Sequence, residues 1–222
     1  MPLTKERVLD AAVALADGSG IAAVTMRNVA AELGVEAMSL YYHVANKEAL
    51  LDGVVDTLLV ELEHELGGFD FDLDEPSEWK PLLRDRILTA RRVMLRHPWA
   101  PALIETRVRM APTMLRYLDS LLGILIAGGF SYDLGHYAMH ALGSRSLGFN
   151  QELFAPDDAE AGAEESEAML AELAPQLPHM MQMIAEVSHE DPDSTLGWCD
   201  YQAEFEFGLD LLLGGLERSQ RG

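Results

Sequence analysis

The chain has 222 residues, enough to bury a sizeable core in one or two domains. Its 16 lysine and arginine residues face 37 aspartate and glutamate residues, and the formal net charge of −21 excludes nucleic-acid binding through bulk electrostatic attraction. The single cysteine excludes an internal disulfide framework, and the lack of an export signal or a long apolar run predicts a cytoplasmic protein without membrane contact.

A short helix followed by a tight turn is predicted near the N-terminus. Thr25 can cap this helix through its hydroxyl, and Val29 and Leu33 recur four residues apart as a buried stripe. Gly34 is expected to end the helix in the left-handed conformation, and Val35 supplies the apolar contact that fixes the turn.

Two further helices are predicted directly after this turn. The first runs from Glu36 to His43 with Leu40 as its inward anchor, and the second begins after Asn46, a good N-cap. Apolar residues then keep a helical period: Leu50, Leu51, Val54, Val55, Leu58, Leu59 and Leu62. Two short helices joined by a glycine-containing turn indicate a helix-turn-helix.

The joint pattern from Thr25 to Lys47 resembles the tetracycline-repressor (TetR) family of bacterial regulators. The matching residues are Thr25 with Arg27, Ala30 with Leu33-Gly34-Val35, Leu40-Tyr41-Tyr42-His43, and Lys47. A pattern spread over this many residues is much more specific than a lone glycine motif.

The resemblance implies a set of DNA-contacting residues: Thr25, Arg27, Ala37, Met38, Ser39, Tyr41, Tyr42, His43 and Lys47. Arg27 can pair with guanine, although a surface or phosphate-contacting role stays open, and Tyr42 can instead pack in the small three-helix core. Ala37 and Met38 can sense thymine methyl groups but cannot pair with purine edges, so the operator of the tetracycline repressor itself is not expected. Because residues 1–50 are also slightly acidic, we expect weak non-specific binding.

The rest of the chain also reads as helical, which predicts an all-α protein. Helices are expected over 77–97 and 131–154, with Ser77 and Ser131 as caps, and over 102–110, 113–127, 166–187 and 196–218. Pro175 and Pro178 are expected to break or kink the helix over 166–187. The acidic segment 157–167 is expected to be a solvated loop. The predicted domains are a helix-turn-helix domain at 1–46, a connecting helix at 47–66, and a ligand-binding and dimerisation domain at 67–222.

The segment from Ala203 to Glu217 resembles the regulatory domain of the tetracycline-repressor branch, in which the last two long helices form the dimer interface. The interface residues implied here are Gly135, Gly143, Phe205, Leu209, Leu212 and Leu216. The alternative is that these residues close the core of a monomer. A two-fold dimer predicts a roughly palindromic operator.

An effector pocket is implied among the central helices, with candidate residues Arg86, Ala90, Leu103, Thr106, Arg107, His136 and His140. Arg86, Ala90 and Leu103 replace the residues of the tetracycline-binding pattern, so magnesium–tetracycline is not the expected ligand. Arg86 favours an acidic or carbonyl-bearing ligand, or else pairs with a carboxylate such as Glu105. Thr106 and Arg107 are candidates for coupling the pocket to DNA.

His136 and His140 can face one point as metal ligands, with Glu152 or His97 as a third member. Two neutral histidines on a pocket or interface face, hydrogen-bonded locally, are the favoured explanation because no cysteine or third histidine follows at a metal-like spacing, and no metal or cofactor is predicted. The sequence has no glycine-rich phosphate loop, nucleophile elbow or carboxylate pair with an obvious base, so no enzyme is expected. We therefore predict a homodimeric repressor that a small-molecule effector releases from its operator. The alternatives are an activator, a co-repressor-type regulator, or a metal- or small-molecule-binding helical protein that does not bind an operator.

Overall fold

The computed structural model describes residues 2–146, 172–187 and 201–221, and all regular structure in these ranges is helical, as predicted. The chain divides into two compact units, one of residues 1–149 with 216–222 and one of residues 150–215. Within the described ranges, no helix has the length and apolar character needed to cross a bilayer.

Three short helices open the first unit: α1 (Lys5–Ser19), α2 (Met26–Leu33) and α3 (Ala37–Leu40). The Thr25 hydroxyl accepts a hydrogen bond from the Asn28 backbone N–H at 3.1 Å, which is the predicted cap. Gly34 has φ +66°, the left-handed conformation predicted for it, and Val35 N–H donates back to the Ala30 carbonyl at 3.0 Å. These local bonds make the turn of the helix-turn-helix.

The helix α3 is shorter than the predicted span from Glu36 to His43. Its helical hydrogen bonding stops at Leu40, whose carbonyl accepts from both His43 and Val44 in a closing turn. This turn brings Val44 into the core, where it is buried. The three residues before Val44 therefore lie in a turn rather than a helix.

The connecting helix α4 (Lys47–Glu65) begins as predicted, because the Asn46 side chain accepts from the Ala49 N–H at 2.8 Å. One stripe of this helix is fully buried and includes Leu50, Val54, Leu58 and Leu62. Because α4 packs on α1 as well as on the later helices of the unit, it joins the helix-turn-helix to the rest of the first unit.

The remaining helices of this unit are α5 (Trp79–Arg96), α6 (Ala100–Glu105), α7 (Pro112–Ala127) and α8 (Tyr132–Ser146). The helices α4, α5 and α8 all pack on α7. The fully buried Tyr117 of α7 lies against Phe69, with ring centroids 5.6 Å apart, and Trp79 meets Phe130 edge-on at 4.8 Å. These aromatic contacts form the middle of the core.

Two predicted helix boundaries in this unit are wrong. Ser77 lies in a 3₁₀ turn, Pro76–Glu78, and caps nothing, so α5 begins at Trp79. The predicted helix over 102–110 ends at Glu105, because the Thr106 hydroxyl donates to the Leu103 carbonyl at 2.7 Å and the last backbone bonds tighten. The predicted cap of α8 is correct, since the Ser131 hydroxyl accepts from the Leu134 N–H at 3.2 Å.

The second unit contains α9 (Pro178–Val187) and most of α10 (Tyr201–Arg221). The prolines predicted to interrupt the 166–187 helix do so, because a 3₁₀ turn, Ala174–Gln176, precedes the helix that starts at Pro178. The acidic loop 157–167, the predicted helix end at 147–154 and the helix start at 196 lie outside the described residues.

Candidate DNA-reading surface and effector cavity

The recognition helix α3 is held by a single inward side chain. Leu40 is fully buried, whereas Met38, Tyr41 and Tyr42 are 72%, 47% and 90% exposed. The alternative that Tyr42 packs in the three-helix core is therefore wrong. The other predicted contacts on this segment, Ala37, Ser39 and His43, are half-buried.

The two basic residues predicted to contact DNA lie on the helices before and after α3. Arg27, on α2, and Lys47, at the start of α4, are both exposed and have no ion-pair partner among the described residues. A cation without an internal partner keeps its charge available for a phosphate or a base edge. The Thr25 hydroxyl, in contrast, is used in its cap.

A polar cluster joins α1 to the turn between α5 and α6. His97 Nδ1 lies 2.7 Å from Asp17 Oδ1, and its Nε2 lies 3.2 Å from Glu61 Oε2. The Trp99 indole N–H donates to the same Asp17 oxygen at 2.8 Å. His97 is therefore held by carboxylates of α1 and α4, and no contact with His136 or His140 is found.

A second ion pair joins the segment after α6 to the first turns of α4. Arg107 Nη1 lies 2.8 Å from Glu48 Oε2 and 3.5 Å from Asp52 Oδ1. The Arg107 side chain is only 13% exposed, but the Glu48 side chain is 71% exposed. Glu48 directly follows Lys47, so this pair connects the cavity described next to a predicted DNA contact.

A cavity of about 430 Å³ lies beside Arg107 in the first unit. Its apolar lining comes from Val55, Ile104, Met114, Leu118 and Met139, and its polar lining from Arg107, Arg109 and His140. This size is within the range of sites for small organic ligands. Of the predicted ligand residues, the structure brings Arg107 and His140 together here, and it adds Gly143, which had been assigned to the dimer interface.

The remaining predicted ligand residues are not among the described residues that line this cavity. Ala90 and Leu103 are buried in the core, and the Thr106 hydroxyl donates to a helix carbonyl. His136 and His140 are both exposed on α8, with ring centroids 4.6 Å apart. Among the described residues no group of three or more metal-binding side chains is found, and Glu152 lies outside them.

Arg86 has different partners from those expected. Its guanidinium donates to Ser120 Oγ at 3.1 Å and to the Asp70 carbonyl at 2.8 Å, and its Nε has no acceptor among the described residues. No contact with Glu105 is found. Burial lowers the pKa of Arg86, an effect that the nearby Tyr117, Asp85 and Asp70 oppose. Arg86 thus ties the segment before α5 to α7.

Comparison with known proteins identifies the family of this fold. Residues 8–54 match the model of the bacterial regulatory proteins of the tetR family, and residues 74–219 match that of the tetracyclin repressor-like C-terminal domain. The tetracycline repressor protein class C of Escherichia coli is 32% identical over 97% of this chain and 91% of its own length. The chain belongs to the TetR family of bacterial regulatory proteins.

Solved structures agree with this assignment. Apo ActR from Streptomyces coelicolor superposes with a TM-score of 0.75 and 25% identity, over 99% of this chain and 97% of that one. A second structure, the Streptomyces coelicolor TetR family protein ActR in complex with (S)-DNPA, gives a TM-score of 0.72 at 25% identity, over 99% and 100% of the two chains. As a TetR-family member, the chain is a DNA-binding transcriptional regulator.

Several residues of the cavity and its connections escaped sequence reasoning. Arg109 and Met110 line the cavity because the chain leaves the helical path after Glu105, whereas a helix was predicted there, and Met114 lines it from α7. Pro112 was the available signal, since it favours an extended residue before it and a helix start at its own position. Glu48 gave no local signal at all, because its partner Arg107 is 59 residues away.

Proposed function

We propose that this TetR-family protein is a cytoplasmic, homodimeric repressor, not an enzyme, that binds a palindromic operator and leaves it when a small molecule occupies the 430 Å³ cavity. The observation that carries the proposal is the exposed surface of Met38, Tyr41 and Tyr42 on a helix anchored by buried Leu40. Side chains displayed in this way can enter a major groove while the anchor keeps the helix in position. The ligand complex of ActR supports a small-molecule effector.

Only a few side chains contact the edges of the DNA bases in this proposal. Arg27 is the described cation best placed for a bidentate contact to guanine, and Met38 offers its apolar side chain to a thymine methyl group. Lys47, Tyr41 and Tyr42 contact the phosphate backbone of the DNA, and these contacts set the position of α3 on the duplex. Because the whole chain is acidic, operator choice depends on these local contacts and on the spacing of two half-sites.

Burial within the single chain suggests a different partner-facing side for α10 from the one predicted. Phe205 and Leu209 are fully buried within the single chain, as is Leu213, whereas Phe207 and Leu211 are 68% and 58% exposed. We therefore assign Phe207 and Leu211 to the partner-facing side, next to half-buried Leu212. The predicted Leu216 is buried as well.

The two glycines of α8 that were predicted for the dimer interface have neighbours within the single chain. A Cβ atom on Gly135 would lie 2.9 Å from Leu122 Cδ1, so this glycine permits close approach to α7 within the chain. Gly143 lines the cavity. Neither position therefore offers a reason of its own for contact with a partner.

The test is salt-dependent retardation of the DNA upstream of the protein's own gene. If Lys47 of each of two subunits neutralises one phosphate, Lys47→Gln should make the log–log slope of affinity against salt concentration shallower by about 2. Arg27→Ala should cost about 1 to 3 kcal/mol per half-site. The complex should contain two chains.

Arg116→Ala is the matched control, because Arg116 is an exposed arginine of α7 that pairs with Glu63 at 2.9 Å, away from the reading surface. It should bind as the wild type does. The absence of site-specific retardation at every salt concentration would refute the repressor proposal.

A further inference from the structure

The cavity beside Arg107 has a charge opposite to that of the protein. The chain carries a formal net charge of −21, yet the described residues that line the cavity include Arg107, Arg109 and His140 and no aspartate or glutamate. Arg109 has no ion-pair partner in the described part of the chain. An anion in this cleft would also meet the guanidinium of Arg107, whose side chain is only 13% exposed and is therefore screened less by water than an exposed cation.

We propose that the effector is an organic carboxylate with an apolar body, and that its carboxylate takes Arg107 from Glu48; this inference rests on the proposed function. The apolar body fits against Ile104, Leu118 and the flexible methionines, whose thioethers adapt to ligand shape. The carboxylate lies at the end of the cavity that Arg107 and Arg109 share.

A ligand can compete for Arg107 because the two carboxylates that now pair with it are exposed. The carboxylate of Glu48 is 71% exposed and that of Asp52 is 49% exposed, so both can return to water at little cost. A ligand carboxylate in the cavity is less hydrated and can make a bidentate pair with the planar guanidinium. The ligand therefore has an advantage that the surface pair lacks.

Loss of the Arg107–Glu48 pair acts directly on the DNA-binding end of α4. Glu48 and Asp52 lie in the first two turns of α4, and Lys47 begins that helix. Once Arg107 turns to the ligand, the segment after α6 no longer holds this end of α4. Since coupling is reciprocal, whatever strengthens the Arg107–Glu48 pair must weaken binding of the ligand.

The first experiment measures binding to the full-length protein without DNA, by fluorescence titration with anthracene-2-carboxylate and with its uncharged carboxamide. A second pair, dodecanoate and dodecanol, covers an aliphatic shape by thermal-shift titration. We expect at least one acid to bind about tenfold more tightly than its neutral partner, and Arg107→Gln to abolish that preference. Arg116→Gln should keep it.

Glu48→Gln is the decisive variant, because it removes the competitor and leaves the cavity intact. We expect it to bind the preferred acid several-fold more tightly than the wild type, and to leave the affinity for the neutral partner unchanged. A purely structural role of the ion pair would give equal or weaker binding. Equal affinity for acid and neutral probes in both pairs, no binding of either acid, or no tightening in Glu48→Gln would each overturn the proposal.

The outcome is separable from that of the repressor proposal. Carboxylate preference with the expected Glu48→Gln effect supports the anion site even if no operator is retarded. Conversely, an operator-binding protein that treats acid and neutral probes alike refutes the anion site and leaves the repressor proposal standing.

Discussion

Neighbouring side chains at the end of α3 differ in burial. Leu40 is fully buried and its neighbour Tyr41 is 47% exposed, although both are large and apolar in their ring or chain. In a helix of four residues with one inward position, every other side chain is left to the solvent or to a ligand. The same segment thus provides both the anchor and the proposed DNA-reading surface.

Replacement of Tyr42 should separate stability from DNA binding. Tyr42 is 90% exposed, so Tyr42→Ala should change the free energy of unfolding by no more than about 0.5 kcal/mol while weakening operator binding. Urea unfolding and gel retardation measure the two quantities. Leu95→Ala, at an exposed apolar position of α5, should alter neither, and a clear loss of stability in Tyr42→Ala would contradict its assignment to the surface.

At the scale of elements, the helices of the first unit are positioned by close contacts at their ends. Gly128 follows α7, and a Cβ atom there would lie 2.6 Å from both Cβ and Cγ of Trp79 at the start of α5. These atoms are near the backbone and cannot swing away. The meeting of the two helix ends therefore requires a residue without a side chain.

Gly128→Ala should destabilise the protein by about 1 to 3 kcal/mol, the usual cost of an added methyl group in a tight contact. The backbone at Gly128 has φ −69°, so the cost is steric and not conformational. Gly18→Ala is the matched control, because nothing lies within 4 Å of its Cβ position in α1, and it should be neutral or slightly stabilising. Equal denaturation midpoints for the two variants would argue against the Trp79 contact.

At the scale of the whole molecule, the end of the chain returns to the first unit. Lys80 Nζ lies 3.0 Å from Glu217 Oε2, and the Gln220 side chain donates to the Gly128 carbonyl. These bonds join residues 137 and 92 positions apart in sequence, and they fix the end of α10 beside the start of α5 and the end of α7. The hydrogen bond from Lys80 lowers the pKa of the Glu217 carboxyl.

The contribution of this pair should depend on pH. Because the pKa of Glu217 is lower in the folded state than its unfolded value of about 4.3, the pair stabilises the fold above that value and loses its effect as the pH falls through the folded pKa. Glu217→Gln should therefore be less stable than the wild type at pH 7, and this difference should shrink as the pH is lowered through the folded pKa of Glu217, by thermal unfolding at low salt. A difference that persists unchanged at acid pH would exclude this ion pair as its cause.

Much of the fold and part of the site could be predicted from local sequence. The caps at Thr25, Asn46 and Ser131 and the left-handed Gly34 depend on hydrogen bonds and backbone sterics within a few residues. The family pattern likewise located the reading helix and its flanking cations. The ends of α3 and α6 were less predictable from the sequence. The helix α3 ends where Val44 is buried in the core, and α6 ends where the Thr106 hydroxyl donates to the Leu103 carbonyl.

The sequence by itself determined that the protein is all-α with a helix-turn-helix near its N-terminus, because short-range periodicity and capping carry that information. The family was indicated by the resemblance of the pattern from Thr25 to Lys47. Only the tertiary structure decided which α10 side chains are buried, that Gly135 packs within the chain, and that Arg107 lies between Glu48 and a cationic cavity. A helical period specifies two faces but not which one meets the core, and an ion pair 59 residues apart leaves no local trace. The set of residues that lines the proposed effector cavity is therefore decided by tertiary packing.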